Sequence, residues 1–258
     1  MKPILRYLLF TFALTYLSHG LLALLTSQNI IEFSSLMGQL LFIIGGSSPT
    51  IFAFIFILKN APTKAKKEFI SKIFSLHHNI IFWVFAILTP IVLGGIFQLF
   101  SILLTDHSFS PANPIYTFFM ILIVSILFGG LEEVGWRGYL QENLMPKISL
   151  IPLSIGIGVI WGLWHIPLFF IKEVSHYDFA FIPFLLGAVM FSTFLTWLYA
   201  KTRSILLVVI FHASINASAT IGFKIEFSNS VLTYLLIILL TTFGIGLLYL
   251  NQYKPKAN

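Results

Sequence analysis

The fold is decided by an apolar stretch in the middle of the chain, FFMILIVSILFGGL at residues 118–131, which is followed directly by Glu132 and Glu133. The whole chain has a similar character: of its 258 residues, 58% are apolar and 9% are charged, and the mean hydropathy is +0.95. Soluble domains have about 25% charged residues. So few charged residues cannot cover a water-facing surface. The composition therefore predicts that most of the protein surface faces lipid. This composition excludes a soluble cytosolic or secreted enzyme and a disordered protein.

Eight segments have the length and apolarity of a transmembrane helix, which needs roughly 20 mostly apolar residues. They predict an all-α, polytopic membrane helical bundle with about eight transmembrane helices. We find no linker or internal repeat, which favours a single integral-membrane domain over residues 1–258. The segments are Ile4–Thr26, Leu36–Leu58, Ile80–Leu104, Tyr116–Gly130 with a continuation, Ser154–Ile171, Ile182–Ala200, Ile205–Ile221 and Val231–Leu250.

The basic residues favour one orientation in the membrane. Cytoplasmic loops carry an excess of Lys and Arg, and with the N-terminus inside, thirteen of the fifteen fall on the cytoplasmic side, Lys254 and Lys256 among them. Both termini are therefore predicted to be cytoplasmic. The lysines are dispersed over short loops, so the net charge of +6 indicates membrane lipids as partners and no nucleic acid. The absence of cysteine excludes disulfides, thiolate zinc sites and cysteine nucleophiles.

Ionisable side chains inside the predicted spans are few, and each is a functional candidate because a buried charge in lipid costs several kcal/mol. Glu132 follows the fourth apolar run, His165 lies in the fifth segment and His212 in the seventh. At a rise of about 1.5 Å per residue, all three fall in or near the cytoplasmic half of a core about 30 Å thick. We predict that they share one site. His19, in the first segment, has no evident partner and is interpreted as a packing or interhelical hydrogen-bonding residue.

Helical spacing indicates which of these side chains share a face. Glu133 and Arg137 are four residues apart with the acid first, the favourable order for an ion pair. This pair either supports the site or lies at the membrane edge, with Arg137 extending into the cytoplasm. Glu132 points about 100° away and is free for other partners. His212 and Asn216 are also four residues apart and share a face.

These residue types fit the hydrolysis of a peptide bond, which needs an activated water, a group to hold it and a group to stabilise the oxyanion. Glu and His supply the first two functions, and Asn supplies the third. Two other functions stay open. A proton-coupled transporter would use the same Glu and His side chains as a relay, and a catalytically silent scaffold or bacteriocin-immunity protein would need none of this chemistry.

Three motifs within residues 116–220 resemble those of the CAAX protease and bacteriocin-processing (CPBP, or Abi) family of intramembrane proteases. Residues 132–141, EEVGWRGYLQ, resemble the family's Glu-Glu-x-x-x-Arg motif. Residues 161–165, WGLWH, resemble its second motif, an aromatic residue four positions before a His, with Trp161 where Phe is more usual. Residues 211–216, FHASIN, match the third motif, His-x-x-x-Asn.

The resemblance implies a multi-pass protease of the cell membrane, with eight helices and a cavity open to the cytoplasm. In the family's prenyl endopeptidases, the enzyme cuts after the lipidated Cys of a C-terminal CAAX sequence and releases a tripeptide. The roles implied are activation of water by Glu132 with help from His165, oxyanion stabilisation by His212 and Asn216, and support of the site by Glu133 and Arg137.

The resemblance leaves the substrate and the metal dependence open. Family members in bacteria usually have no prenylated protein to cut, and several are linked to bacteriocin maturation or self-immunity. A basic chain with short loops is typical of bacteria, so the expected substrate is a membrane-anchored or lipidated peptide. Glu132, His165 and His212 could supply three ligands to Zn²⁺ with water as the fourth. Alternatively, Glu132 could act alone as the base.

Overall fold

The structure, a computed structural model, describes residues 2–104, 113–225 and 227–251. These ranges are mostly helical and contain no β-strand, so the predicted all-α membrane bundle is confirmed. Five helices are long and apolar enough to cross a membrane, or up to seven if each of two bent pairs is one span, and Ile205–Thr220 is a shorter apolar helix. Lys254 and Lys256 lie outside the described residues. The number of crossings and the cytoplasmic termini stay predictions.

The helices follow the eight predicted segments closely, because an apolar run in lipid must satisfy its backbone hydrogen bonds internally. Two bent pairs replace single straight spans, and one further amphipathic helix lies in the basic loop after the second segment. The helices are α1 (Lys2–Ser27), α2 (Leu36–Gly46), α3 (Ser48–Asn60), α4 (Thr63–Ile73), α5 (Ile80–Leu104), α6 (Tyr116–Ser125), α7 (Glu132–Gly135), α8 (Glu142–Leu144), α9 (Leu150–Trp164), α10 (Phe181–Thr202), α11 (Ile205–Thr220) and α12 (Val231–Leu250).

The second span bends by 53° between α2 and α3. Ser47 separates the two helices, and Pro49 lies in the first turn of α3. Proline fits the first turn of a helix because the N–H groups there have no intrahelical partner, whereas in a helix interior it would remove a hydrogen bond. The bend places α3 against α7, where the Thr50 hydroxyl donates to the backbone carbonyl of Leu131.

The fourth span breaks immediately before the two glutamates. A π-helical segment, Ile126–Gly130, follows α6, and within it Phe128 (φ −110°, ψ 72°) and Gly129 (φ 135°, ψ −62°) leave the helical conformation. The helical stretch that follows, Glu132–Leu144, is bent by 42° from the first half of the span. Irregular backbone at membrane depth is tolerated where it is buried in protein or lines a cavity. Gly129 and Gly130 in the break pack closely against α11, and the break places Glu132 and Glu133 in the first turn of α7.

The main core of the bundle draws buried side chains from helices along the whole chain, with the largest share from α9, α10 and α11. α10 packs against α9 and α12, and α11 packs against α5 and α6. Large apolar side chains such as Leu9, Leu17 and Ile123 are exposed on the outside. An apolar exterior is what a lipid solvent requires, and the polar side chains are concentrated inside.

Candidate active site

A buried carboxylate, Glu133, joins α7 to α11. Arg137 Nη1 donates to Glu133 Oε2 over 2.7 Å, and His212 Nδ1 bonds to Glu133 Oε1 over 2.9 Å. The side chains of Glu133 and Arg137 are both 0% exposed. Because the carboxylate only accepts, His212 carries its proton on Nδ1 in this contact. Glu133 therefore fixes the orientation of the imidazole.

Arg137 is held inside the bundle by three helices. Its Nη2 donates to Ser192 Oγ over 3.1 Å, and Ser192 Oγ donates to the backbone carbonyl of Ser154 over 2.8 Å. The guanidinium also lies 5.7 Å from the centroid of the Trp161 ring, a cation–π distance. Of the two interpretations of the Glu133–Arg137 pair, the one with Arg137 extending into the cytoplasm is wrong, because the guanidinium is fully buried among polar partners.

Glu132 lies beside a cavity of about 80 Å³, large enough for several water molecules. Trp161 Nε1 donates to Glu132 Oε2 over 3.0 Å and so orients the carboxylate. The cavity lies between α1 and α2 on one side and the break of the fourth span on the other. Its lining residues are His19, Phe42, Ile43, Gly46, Ser47, Leu127, Phe128, Gly129, Leu131, Glu132, Trp164 and Leu168.

His165 lies just after the last residue of α9, next to the Trp161 ring. Its Nδ1 bonds to the Trp161 backbone carbonyl over 2.8 Å, so Nδ1 carries the proton and Nε2 remains an acceptor in the neutral ring. The ring stacks on His176, which lies in the loop between α9 and α10, with centroids 5.2 Å apart. Burial, with a smaller contribution from His19, lowers the pKa of His176 to about 4. His176 is therefore neutral at pH 7 and adds no positive charge beside His165.

His212 and Asn216 both lie beside Gly129, the residue with positive φ in the break. A Cβ atom on Gly129 would lie 2.7 Å from Asn216 Nδ2 and 3.6 Å from His212 Nε2. The shared face predicted from their spacing is thus directed at the broken turn. Gly129 also lines the cavity beside Glu132, so this glycine lies between the carboxylate side and the imidazole–amide side of the site.

The Trp161 ring connects the predicted site residues. It donates to Glu132 and lies 5.2 Å from the His212 ring and 5.5 Å from the His165 ring, centroid to centroid. His165 and His212 are not among the residues that line the cavity. In the part of the chain that the structure describes, no three His, Asp or Glu side chains are grouped closely enough to hold a metal ion. Glu132, His165 and His212 therefore do not fit a Zn²⁺ ligand set as they stand here.

Three features of the site were not predicted from the sequence. These are the bond from Trp161 to Glu132, the backbone break at Gly129 and the stacking of His176 on His165. Trp161 was visible as the aromatic residue of the second motif, but nothing in the spacing indicates its bond to Glu132. The Gly129-Gly130 pair at the end of an apolar run was a signal for a backbone break. His176 lies in a loop, where we found no pattern that pairs it with His165.

Gly129 provides a test of the broken turn. A Gly129→Ala substitution should lower the activity of this site by at least about 10²-fold, because an L-residue is strained at φ 135° and its Cβ would overlap the Asn216 amide. A Cβ atom on Gly156 would meet no neighbouring atom within 4 Å, so Gly156→Ala is the matched control and should retain activity. Initial rates and melting temperatures of the two variants check this, and an active Gly129→Ala protein would contradict it.

Comparison with known proteins agrees with this geometry. Residues 114–218 match the family model described as "Type II CAAX prenyl endopeptidase Rce1-like". The chain is also 31% identical to CAAX prenyl protease 2 of Methanococcus maripaludis over 226 residues, covering 81% of each chain. The chain belongs to the Rce1-like family of CAAX prenyl endopeptidases. The chain is thus an integral membrane protein of a peptidase family, and the matched residues contain all six predicted site residues.

A second relative extends the comparison. The chain is 28% identical to Lysostaphin resistance protein A of Staphylococcus haemolyticus over 132 residues, which cover 50% of this chain and 34% of that protein. The Rce1-like chain is thus similar both to a protease and to a resistance protein.

Proposed function

We propose that the chain is an intramembrane endopeptidase that hydrolyses a peptide bond of a membrane-anchored, lipidated peptide, with a water molecule activated by Glu132. The observation that carries the proposal is the position of Glu132. Its carboxylate lies on a cavity that also includes Gly129, next to His212 and Asn216. Acyl transfer to water requires a base for the water and hydrogen-bond donors for the oxyanion. Glu132 lines the cavity, and the donors His212 and Asn216 lie beside Gly129 without lining the cavity themselves.

In the proposed reaction, Glu132 takes a proton from water and the resulting hydroxide attacks the carbonyl carbon of the scissile bond. The tetrahedral intermediate then collapses, the C–N bond breaks, and Glu132 returns the proton to the leaving amine. Trp161 supports this role because its indole N–H holds one carboxylate oxygen in place. His165, with Nδ1 donating to a backbone carbonyl, has Nε2 free to accept a hydrogen bond from the water.

The oxyanion is proposed to be stabilised by Asn216 Nδ2 and His212 Nε2, which both lie beside Gly129. His212 can donate from Nε2 only when both ring nitrogens carry protons. Glu133 supports that state, because its carboxylate bonds to Nδ1 and would stabilise an imidazolium. Arg137 in turn holds Glu133 in a single orientation.

The relatives favour a lipidated substrate, since one of them is named as a CAAX prenyl protease. We propose CAAX-type cleavage, directly after the lipidated Cys. A second candidate, a resistance or immunity protein that binds a partner without catalysis, is favoured by the similarity to Lysostaphin resistance protein A. The two candidates differ in whether the purified protein cleaves a peptide.

The test uses the purified full chain in lipid nanodiscs with an S-farnesylated peptide ending in Cys-Val-Ile-Ser, and the same peptide without the farnesyl group. We expect a C-terminal tripeptide from the farnesylated peptide alone, detected by mass spectrometry. Because the three candidate ligands do not form a set, the rate should change less than about twofold after dialysis against a strong zinc chelator. If neither peptide is cleaved, the peptidase proposal is wrong. If the chelator inactivates the protein and added Zn²⁺ restores activity, the proposal that Glu132 acts as a base without a metal ion is wrong.

A further inference from the structure

His19 on α1 brings a second polar group to the cavity that Glu132 lines. The residue is 1% exposed. An imidazole this deep in an apolar helix is costly unless it is paired or serves a function. The proposed mechanism does not use it.

One nitrogen of His19 is occupied and the other is not. Nε2 lies 3.0 Å from the backbone carbonyl of Phe42 on α2, and because a carbonyl only accepts, Nε2 carries the proton. In the neutral ring Nδ1 is then an acceptor. Nδ1 is buried and has no hydrogen-bond partner in the part of the chain that the structure describes. A buried polar atom without a partner is rare enough in native proteins to need an explanation.

The imidazole is held in one orientation by its neighbours on α2. The Phe42 ring stacks on it with centroids 5.5 Å apart. Gly45 faces its Nε2–Cδ2 edge so closely that a Cβ there would overlap the ring. Nδ1 lies across the ring from Cδ2, on the side away from the α2 backbone. The fold therefore fixes Nδ1 without giving it a donor.

Joining α1 to α2 does not by itself explain His19. Ser18 Oγ already donates to the Leu41 carbonyl over 2.6 Å, and Thr15 Oγ1 donates to the Gly45 carbonyl over 2.7 Å. A role in helix packing would use Nε2 alone, and a side chain with one donor would serve it without burying a second polar atom.

A peptide in this cavity would supply the missing donor. The lining around His19 is mainly apolar, including Phe42, Leu127, Phe128 and Leu131. An extended peptide carries an N–H on each non-proline residue, and an N–H buried among such side chains costs free energy unless it finds an acceptor. We propose that His19 is a substrate-binding residue whose Nδ1 accepts a hydrogen bond from a backbone N–H of the bound peptide. The inference rests on the proposed peptidase function and adds a contact that fixes the peptide beside Glu132.

Two substitutions distinguish the role of His19 Nδ1 from that of Nε2. In His19→Gln, the side-chain amide can still donate to the Phe42 carbonyl, but no acceptor remains at the Nδ1 position. In His19→Asn, the side-chain carbonyl provides an acceptor near the Nδ1 position, but the bond to Phe42 is lost. Ser18→Ala is the matched control, because it removes the neighbouring α1–α2 hydrogen bond and does not touch the cavity.

The experiment measures the Kd of the S-farnesylated peptide by fluorescence anisotropy in nanodiscs, with each substitution placed in a Glu132→Gln protein so that nothing is cleaved. We expect His19→Gln to raise Kd by about 3–10-fold, the effect of losing one neutral hydrogen bond. His19→Asn and Ser18→Ala should keep Kd within about twofold and lower only the melting temperature. With Glu132 present, His19→Gln should raise KM by a similar factor at nearly constant kcat, the pattern of a lost binding contact.

Three results would overturn the inference. The first is an unchanged Kd in His19→Gln, and the second is a rise in Kd in His19→Asn and Ser18→Ala as large as that in His19→Gln. The third is a fall in the kcat of His19→Gln at constant Kd. The last result would indicate that His19 holds the water and not the peptide. These outcomes are distinct from failure of the peptidase proposal, which shows as an absence of cleavage by the unmodified chain, since binding is measured without catalysis.

Discussion

Replacing Glu132 with glutamine is expected to lower kcat by about 10²–10⁴-fold, the usual contribution of a general base. Glutamine has nearly the shape of glutamate, and its side-chain carbonyl can still accept the hydrogen bond from Trp161 Nε1. It cannot take a proton from water at neutral pH. The measurement is the initial rate of tripeptide release from the farnesylated peptide, together with the melting temperature. The fold should be retained while the reaction is lost.

Glu142 offers a matched control in the same helical stretch, Glu132–Leu144. It accepts from Tyr199 over 2.7 Å and pairs with Arg203 at 2.8 Å and Lys72 at 3.0 Å, away from the cavity. Because these pairs are partly exposed, Glu142→Gln should cost roughly 0.2–1 kcal/mol of stability per pair and leave kcat within about twofold. A Glu132→Gln protein as active as the Glu142→Gln protein would show that Glu132 is not the base of the reaction.

The helices could be predicted from the sequence because their formation in lipid depends on local composition. The predicted segments Ile80–Leu104 and Val231–Leu250 coincide with α5 and α12. A run of about 20 apolar residues that crosses the membrane forms a helix, since only a helix satisfies all backbone hydrogen bonds within a single segment. The break at Phe128 and Gly129 was not predicted, although the Gly129-Gly130 pair was a signal for it, because an apolar run of this length fits a straight span equally well.

Only the contacts within a single helix could be predicted from the sequence, because they follow from helical periodicity. The ion pair between Glu133 and Arg137 follows from a spacing of four residues. The bond between Trp161 and Glu132 joins residues 29 apart, and the bond between His212 and Glu133 joins residues 79 apart. Such contacts depend on how the helices pack. The motifs therefore predicted which residues form the site, while Glu133 as the direct partner of His212 appeared only in the structure.

Substituting Glu133 is expected to give the largest loss of stability. In Glu133→Gln, the Arg137 guanidinium stays fully buried while its compensating charge is removed. Removing one partner of a buried ion pair typically costs about 3–5 kcal/mol, because the remaining charge keeps its desolvation penalty. The free energy of unfolding, measured by denaturant titration in mixed micelles, should fall by that amount.

The double variant Glu133→Gln/Arg137→Met separates the structural role of the pair from its catalytic one. It removes both charges and leaves an apolar side chain of similar length, so most of the lost stability should return, as is usual when a buried ion pair is replaced as a unit. Activity should not return. His212 Nδ1 would face an amide in place of the carboxylate that orients it and stabilises its imidazolium, so kcat should stay at least about 10²-fold below that of the unmodified chain. Recovery of both stability and kcat in the double variant would show that Glu133 has only a packing role. It would contradict the proposal that the Glu133 carboxylate stabilises the imidazolium of His212. Recovered stability with lost activity is the result expected if Glu133 positions the oxyanion donor, because packing alone would have been restored.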